Sequence, residues 1–413
     1  MKKLILSLAA LLCMSTAVWA VDETMNPLIT SMPSLSIAPD ARAAGMGDLG
    51  VATQSDYNSQ FWNPAKYAYN TSKGAINASY TPWLRKLVSD IDLAYIAGFY
   101  NFGDMAGGIG ASFTYFSLGD VALTNANGDK IQDVRPNEWA LDLSYYRKLH
   151  EYVSMAVAVR FMYSDLNNGS NSSLSGGTEM YPAWTMAADI SLYYRQPIDL
   201  PMGTSHFALG FSLKNLGGKM TYDKVTQNFI PASMNIGASY ELPFDKFNSL
   251  TFNVEANKLL VPSRKSRYTT SATALHPELW NNDGTPIDPS NHDTWQMSQD
   301  AYSELNSAKG WFQSFNDAPG GAAEEFKEVR WGVGLEYTYN KQFFARAGYS
   351  YENFYKGNRN YVTLGAGFHL SIVSLDFAYC VGLAASNPLD QTMRFTLGFD
   401  LAGIKDLVDN KKK

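Results

Sequence analysis

From residue 74 to residue 400 the chain repeats one pattern fourteen times. A run of about ten residues alternates apolar and polar side chains, and turn residues follow it. The runs are 74–82, 90–101, 105–117, 137–147, 150–164, 183–196, 204–215, 232–241, 248–259, 329–339, 342–351, 361–369, 372–381 and 391–400. In one of them Trp139, Leu141, Leu143 and Tyr145 share a face, and Ala140, Asp142, Ser144 and Tyr146 share the other. In another, Trp331, Val333, Leu335 and Tyr337 oppose Gly332, Gly334, Glu336 and Thr338. Successive side chains of a strand point to opposite faces, so each run predicts a strand with one greasy and one polar face. The connections carry a second, independent pattern. Those at 83–89, 118–136, 165–182, 216–231, 260–328, 352–360 and 382–390 are long, and every connection between them is short. Short turns on one side, longer loops on the other and an even strand count describe a bacterial membrane barrel, apolar outside and polar within. A soluble two-sheet protein has no reason to gather its long loops at one end. The expected fold class is therefore all-β, a 14-stranded antiparallel transmembrane β-barrel over residues 74–400.

Composition agrees. Only 17% of residues are charged, against roughly 25% in soluble domains, while aromatics reach 14%. The net charge of −6 argues against nucleic-acid binding, which needs a basic face. Residues 1–20 carry Lys2 and Lys3, an apolar core from Leu4 to Leu12 and small residues near Ala20, the pattern of a secretory signal peptide. Beyond it Cys380 stands alone, so no intramolecular disulfide and no cysteine metal site are expected. The five histidines form no i, i+4 pair. No metal and no cofactor is expected.

Residues 21–73 are not strand-like and contain one short helix around Asp40–Ala44. They read as a periplasmic tail or as a plug inside the barrel. Inward Asp142, Asp189, Glu255, Glu336, Asp376, Arg160, Arg195 and Arg394 need partners or water, which a polar plug would supply. The connection 260–328 far exceeds the usual loop length, which marks it as functional or disordered. Helical spacing runs from Thr294 through Trp295, Ser298, Tyr302, Leu305, Ala308 and Phe312, and a second short helix is expected at Ala322–Glu328. Trp280, Trp295, Tyr302, Trp311 and Phe312 are its candidate partner-binding residues, since exposed aromatics anchor interfaces. They could equally pack the loop against itself. Residues 401–413 form a periplasmic C-terminal tail ending in three lysines.

Chemistry-bearing motifs are few. Gly45, Gly47 and Gly50 match G-x-G-x-x-G, but no strand precedes them and no long helix follows, so they read as turn glycines. The oxygen-rich stretches Asn125–Asp129 and Asn281–Asp293 lack the terminal Glu of a calcium loop and read as turns. Nothing places inward carboxylates such as Glu255 and Glu336 at catalytic separation. No catalytic residue is assigned, and the chain is not expected to be an enzyme. Inward Gly108, Gly110, Gly332 and Gly334 mark either a kinked strand or relief for a crowded lumen.

Three stretches carry a family resemblance: SLSIAPDARAAGMGDLGVAT (Ser34–Thr53), NSQFWNPAKYAY (Asn58–Tyr69) and SYTPWLRKLVSDIDLAY (Ser79–Tyr95). Together they resemble PorV, an outer-membrane component of the type IX protein secretion system, within the wider FadL-like family of fourteen-stranded barrels with an N-terminal plug. Asp40, Arg42, Gly45, Gly47, Asn63 and Pro64 belong to the plug motif. FadL-like fatty-acid transporters usually continue Asn-Pro-Ala with Gly-Leu. Lys66 and Tyr67 stand here instead, which favours the secretion branch. The resemblance implies a multi-pass outer-membrane protein that binds the C-terminal signal domain of cargo at the SprA translocon. It would then deliver that cargo to the attachment complex containing the PorU sortase, which joins it to lipopolysaccharide. The competing expectation is a FadL-type transporter of hydrophobic small molecules. That reading requires an apolar pocket beneath the outer loops and an opening in the barrel wall.

Overall fold

The structure, a computed structural model, describes residues 26–403 except 104–105, 125–126, 128, 168–179, 264–301, 319–320, 371, 384–386, 388 and 402. The leader, most of the C-terminal tail, and Trp280 and Trp295 lie outside the described residues.

Fourteen antiparallel strands close into one barrel. In chain order these are β1 (Gly74–Pro82), β2 (Asp92–Gly103), β3 (Gly107–Ser117), β6 (Asn137–His150), β7 (Val153–Asp165), β8 (Ala183–Leu200), β9 (Gly203–Gly217), β10 (Ser233–Pro243), β11 (Asn248–Leu259), β12 (Val329–Tyr339), β13 (Phe343–Tyr351), β14 (Tyr361–Leu370), β15 (Val373–Gly382) and β16 (Met393–Asp400). Each strand pairs with its neighbours in the ring, and β1 closes on β16 with Asn77 opposite Gly398. Closure leaves no unpaired edge, the condition for a sheet in lipid. The connection 118–136, expected to be plain loop, holds a separate hairpin of β4 (Val121–Thr124) and β5 (Lys130–Val134). Alternation there covers only four or five residues a strand, too few to register as a wall strand.

The alternation sorts as read. Ile76, Ile96, Leu141, Leu143, Val159, Val254, Val333 and Leu375 face outward and exposed, while Asn77, Ser112, Asp142, Glu255, Glu336 and Asp376 are buried inside. Aromatics gather at both ends of this apolar band. Trp139 packs on Phe161 and Tyr163 at the long-loop end, with ring centroids 5.4 and 5.3 Å apart, and Phe343 packs on Phe368 at the short-turn end, 4.9 Å apart. These are the girdles of an outer-membrane barrel.

Residues 26–70 pack against inward-facing residues of the wall, and the segment is called the plug below. Helix α1 (Ala41–Ala44), α2 (Ser59–Trp62) and 3-10 turns at Pro33–Ser36 and Pro64–Tyr69 give the segment its form. The backbone N–H of Asn26 donates to Tyr355 O, and that of Ser31 to Phe229 O, both in long connections. At the other end Tyr69 donates from its hydroxyl to Glu151 O in a short turn. The segment therefore runs through the lumen from the outer mouth to the periplasmic rim, where β1 begins.

In the connection 260–328 the helix expected from Thr294 is interrupted. Residues 302–304 are helical, the chain breaks at Leu305 and Asn306, and α3 (Ser307–Gln313) starts afresh with Asn306 Oδ1 accepting from Ala308 N. Asn at a cap favours restarting a helix over continuing one. The second helix, α4 (Ala322–Lys327), falls where expected.

Candidate functional site

The plug is held at every level by side chains that the alternation turns inward. Asp40 caps α1 by accepting from Ala43 N at 2.9 Å, and its other oxygen accepts from Trp62 Nε1 at 2.6 Å, tying α1 to α2. Arg42 clamps Glu336 of β12 through two hydrogen bonds of 3.0 and 2.8 Å and also reaches Asp56 at 3.1 Å. Glu336 in turn accepts from Arg346 at 2.6 Å, and Arg346 reaches Asp376 at 2.6 Å. The strand register makes this possible, since it sets Glu336 directly opposite Arg346. A second network joins Arg160 to Asp142 at 2.5 Å and to Asp189 at 3.1 Å. Buried charges persist when they are paired and hydrogen-bonded, and these are both.

The remaining motif residues act through the backbone. Gly47 has φ +83° and donates from its N–H to Thr363 Oγ1 at 2.9 Å, while a Cβ there would lie 2.9 Å from Tyr349 backbone. Gly45 meets Gly365 of β14, where a side chain on either would reach the other's Cα at 2.9 Å. Asn63 accepts from Ala65 N at 3.1 Å, with Pro64 opening the 3-10 turn, and donates to Val51 O at 3.0 Å and Leu192 O at 2.9 Å. Lys66, fully buried, donates to Gly50 O at 2.6 Å and Thr53 Oγ1 at 2.9 Å. Tyr67 stacks on Phe99 with centroids 4.4 Å apart. Glu255 accepts from the N–H groups of Gly50 and Val51 at 2.9 and 3.0 Å. The inward strand glycines are room for this plug. An added Cβ would stand 2.0 Å from Met46 C at Gly348, 2.1 Å from Val51 O at Gly210, 2.5 Å from Met46 O at Gly334 and 2.3 Å from Gln60 Oε1 at Gly110. At Gly108 the crowding atom is the Tyr146 hydroxyl of the wall.

Above the plug, the outer loops are lashed to the wall by charge. Glu328 accepts from Lys258 at 2.7 Å, Lys356 at 3.1 Å and Ser263 Oγ at 2.7 Å, and Glu325 accepts from Lys258 at 2.9 Å. Asn26 of the plug donates to Glu324 of α4 at 3.4 Å. Burial first, then the nearby Glu325 and Glu328, push the Asp317 carboxyl up to about 7.

The candidate aromatics separate on this frame. Phe312 is 79% exposed and Trp311 half-buried. Tyr302 turns inward, its ring edge-on to Phe229 at 5.3 Å and its carbonyl accepting from Lys219. Sequence reasoning missed Phe315, Phe326 and Phe354, which are 46%, 73% and 55% exposed on the same outer surface. Phe326 is a lone aromatic in a charged helix, and Phe315 and Phe354 sit among other aromatics whose facing the sequence does not distinguish.

Beneath the outer loops lies a cavity of about 60 Å³, lined by Lys214, Arg330, Lys356, Arg359, Glu328 and Glu352 together with Asn215, Asn235, Asn257 and a few apolar groups. It is small and of mixed polarity, with Leu28, Leu35, Val51, Phe61, Trp62, Pro231 and Leu259 also on its wall, where a drug-sized apolar ligand occupies roughly 300–1,000 Å³.

A closed fourteen-stranded barrel with a lipid-facing band, girdled at both ends, defines an outer-membrane protein of the β-barrel class. Within that class the sequence matches the family described as type IX secretion system protein PorV over residues 20–266, and the chain belongs to that family. It is thus an outer-membrane component of the type IX secretion system. Among curated proteins no sequence match is found. Solved structures with similar folds include a TodX mutant described as a monoaromatic hydrocarbon channel, at 12% identity and TM-score 0.49, covering 87% of this chain and 96% of that one. The Pseudomonas putida toluene transporter TodX gives 10% identity and TM-score 0.47 over 91% and 98%. The Ralstonia pickettii toluene transporter TbuX gives 13% and 0.44 over 88% and 96%.

Proposed function

We propose that this protein is a surface-acting binder of type IX cargo rather than a conduit or a catalyst. It holds the C-terminal signal domain of cargo emerging from the SprA translocon and passes it to the PorU attachment complex for joining to lipopolysaccharide. Family membership supports the system, and the observation that carries the binding role is the filled lumen beneath an exposed aromatic surface. A barrel stapled to its N-terminal segment at Arg42, Gly47 and Asn63 has no room for a polypeptide. Its loops, fixed to that rigid base, can present Phe312, Phe315, Phe326 and Phe354 to a partner. The transporter reading asks for a roomy apolar pocket, whereas the cavity in that place is about 60 Å³ and carries six charged side chains.

The test replaces Phe312, Phe315 and Phe326 with Ser together, since all three point to solvent and the fold does not depend on them. The tagged variant and the parent are purified from outer membranes in mild detergent, and the co-purifying secreted proteins are identified. The expected result is normal barrel yield with loss of cargo. Undiminished cargo on the triple variant would remove the loop from the binding surface.

A further inference from the structure

We propose that the cavity between the plug and the outer loops is a binding site for a small oxyanion, a carboxylate or a phosphate group, built around Lys214 and Arg330. The argument begins with the wall. Ala188 of β8 faces Leu216 of β9 and Ile190 faces Leu213, so Lys214 and Asn215 together oppose the single residue Asp189. That is a β-bulge, and Asn215 takes it up with φ +58°. Bulges re-aim side chains, and here two successive residues, Lys214 and Asn215, are both buried toward the lumen.

Lys214 is 7% exposed, and its ammonium lies 3.7 Å from the centre of the Phe61 ring and 5.8 Å from that of Trp62. The ring faces offset part of the cost of burying the charge. Among the described residues it has no hydrogen-bond acceptor and no carboxylate within ion-pair distance. The acids that act on it are Asp189 and Asp142, both engaged by Arg160, and Glu255, which accepts from the N–H groups of Gly50 and Val51 and also faces Arg330. Arg330, turned inward on β12, likewise makes no ion pair or hydrogen bond among the described residues. Both line the cavity.

The two acids on the same cavity cannot serve them. Glu328 is saturated by Lys258, Lys356 and Ser263. Glu352 is held by Arg359 through bonds of 2.8 and 2.9 Å from the guanidinium and 3.2 Å from its backbone N–H. After these pairings the cavity keeps, among the described residues, one buried and one half-buried cation without a hydrogen-bonded acceptor. A buried cation such as Lys214 without an acceptor is costly, and an oxyanion that takes hydrogen bonds from an ammonium and a guanidinium removes that cost. A space of about 60 Å³ admits a few waters or a group the size of acetate or phosphate, and excludes an acyl chain. The site joins plug, wall and outer loops, and it does not rest on the cargo reading.

The experiment uses the full chain in lipid nanodiscs, titrated with inorganic phosphate and separately with acetate, at constant ionic strength against chloride, by calorimetry. The expected result is saturable binding of at least one of the two, weakened about tenfold or more in Lys214→Met and in Arg330→Gln. Lys148→Met, at the periplasmic rim, should bind as the parent does. Preference for phosphate would point to a phosphorylated head group or free phosphate, and preference for acetate to a carboxylate. Retention of heat-modifiable gel mobility reports folding; if Lys214→Met loses it, Arg330→Gln decides. Absence of saturable binding of both anions, or binding that the folded variants leave unchanged, overturns the proposal.

Discussion

Arg42 holds more of the plug than any neighbour, because one guanidinium joins the plug's own Asp56 to the wall's Glu336. Arg42→Gln leaves Asp56 with Ser59 and no ion-pair partner, and Glu336 with Arg346 alone. Breaking a buried pair by removing one member costs about 3–5 kcal/mol. The expected outcome is a barrel that still assembles but melts lower, with ion leakage in planar bilayers as the plug loosens. At Gly348 the constraint is distance alone, since a Cβ would sit 2.0 Å from the backbone of Met46. Gly348→Val should prevent the plug from seating, read as faster proteolysis of residues 26–70 with the wall intact. The sequence marked Gly332, Gly334 and Glu336 as lumen residues and did not single out Gly348. It could not say which faced the plug, because residues nearly 300 positions apart, such as Arg42 and Glu336, meet only after the ring closes.

At the level of elements, the outer loop depends on how its acids are paired. Asp317 accepts from Ser263 N at 3.1 Å through one oxygen, while the other has no partner among the described residues. Its folded pKa of about 7 lies above the ordinary 3.8, so the folded loop holds a proton that the opened loop releases. Loop packing is therefore strongest at low pH and weakens as pH rises from about 4 to about 7, the penalty being complete above that. Asp317→Asn removes the charge and keeps an acceptor for Ser263. Amide exchange in α3 and α4, corrected for intrinsic rates, should slow on going from pH 8 to pH 6 in the parent. In the variant it should be slow at both. Of the loop's features, α4 was legible and the break at Asn306 was not. Helical spacing reports which residues share a face, not where a cap interrupts the backbone. The same limit hid the inward turn of Tyr302, which is set by Phe229 on another loop.

For the whole molecule, wall and plug are complementary bodies. The wall supplies buried charge and missing side chains; the plug supplies the counter-charges and the backbone that fills the space. Deleting residues 26–70 should leave a folded barrel whose lumen, lined by Glu336, Arg346, Asp376 and Arg160, fills with water. Steady conductance well above that of the full chain is expected in planar bilayers. Equal conductance would show that the wall alone closes the path.

The alternation by itself determined the barrel, down to the ends of β1, β11 and β12, which fall on the residues the pattern marks. Lipid on one face and a polar lumen on the other impose a period of two on every strand, so each strand carries its own record of the environment. The short helix around Asp40–Ala44 was legible locally, whereas the plug motif at Asn63-Pro64 rested on the family resemblance. Only the tertiary structure decided what fills the lumen, which aromatics face out, and that Lys214 and Arg330 share one cavity. Those facts depend on closure of the ring and on a two-for-one bulge in β9, and contacts across a closed barrel leave no period in the chain that makes them.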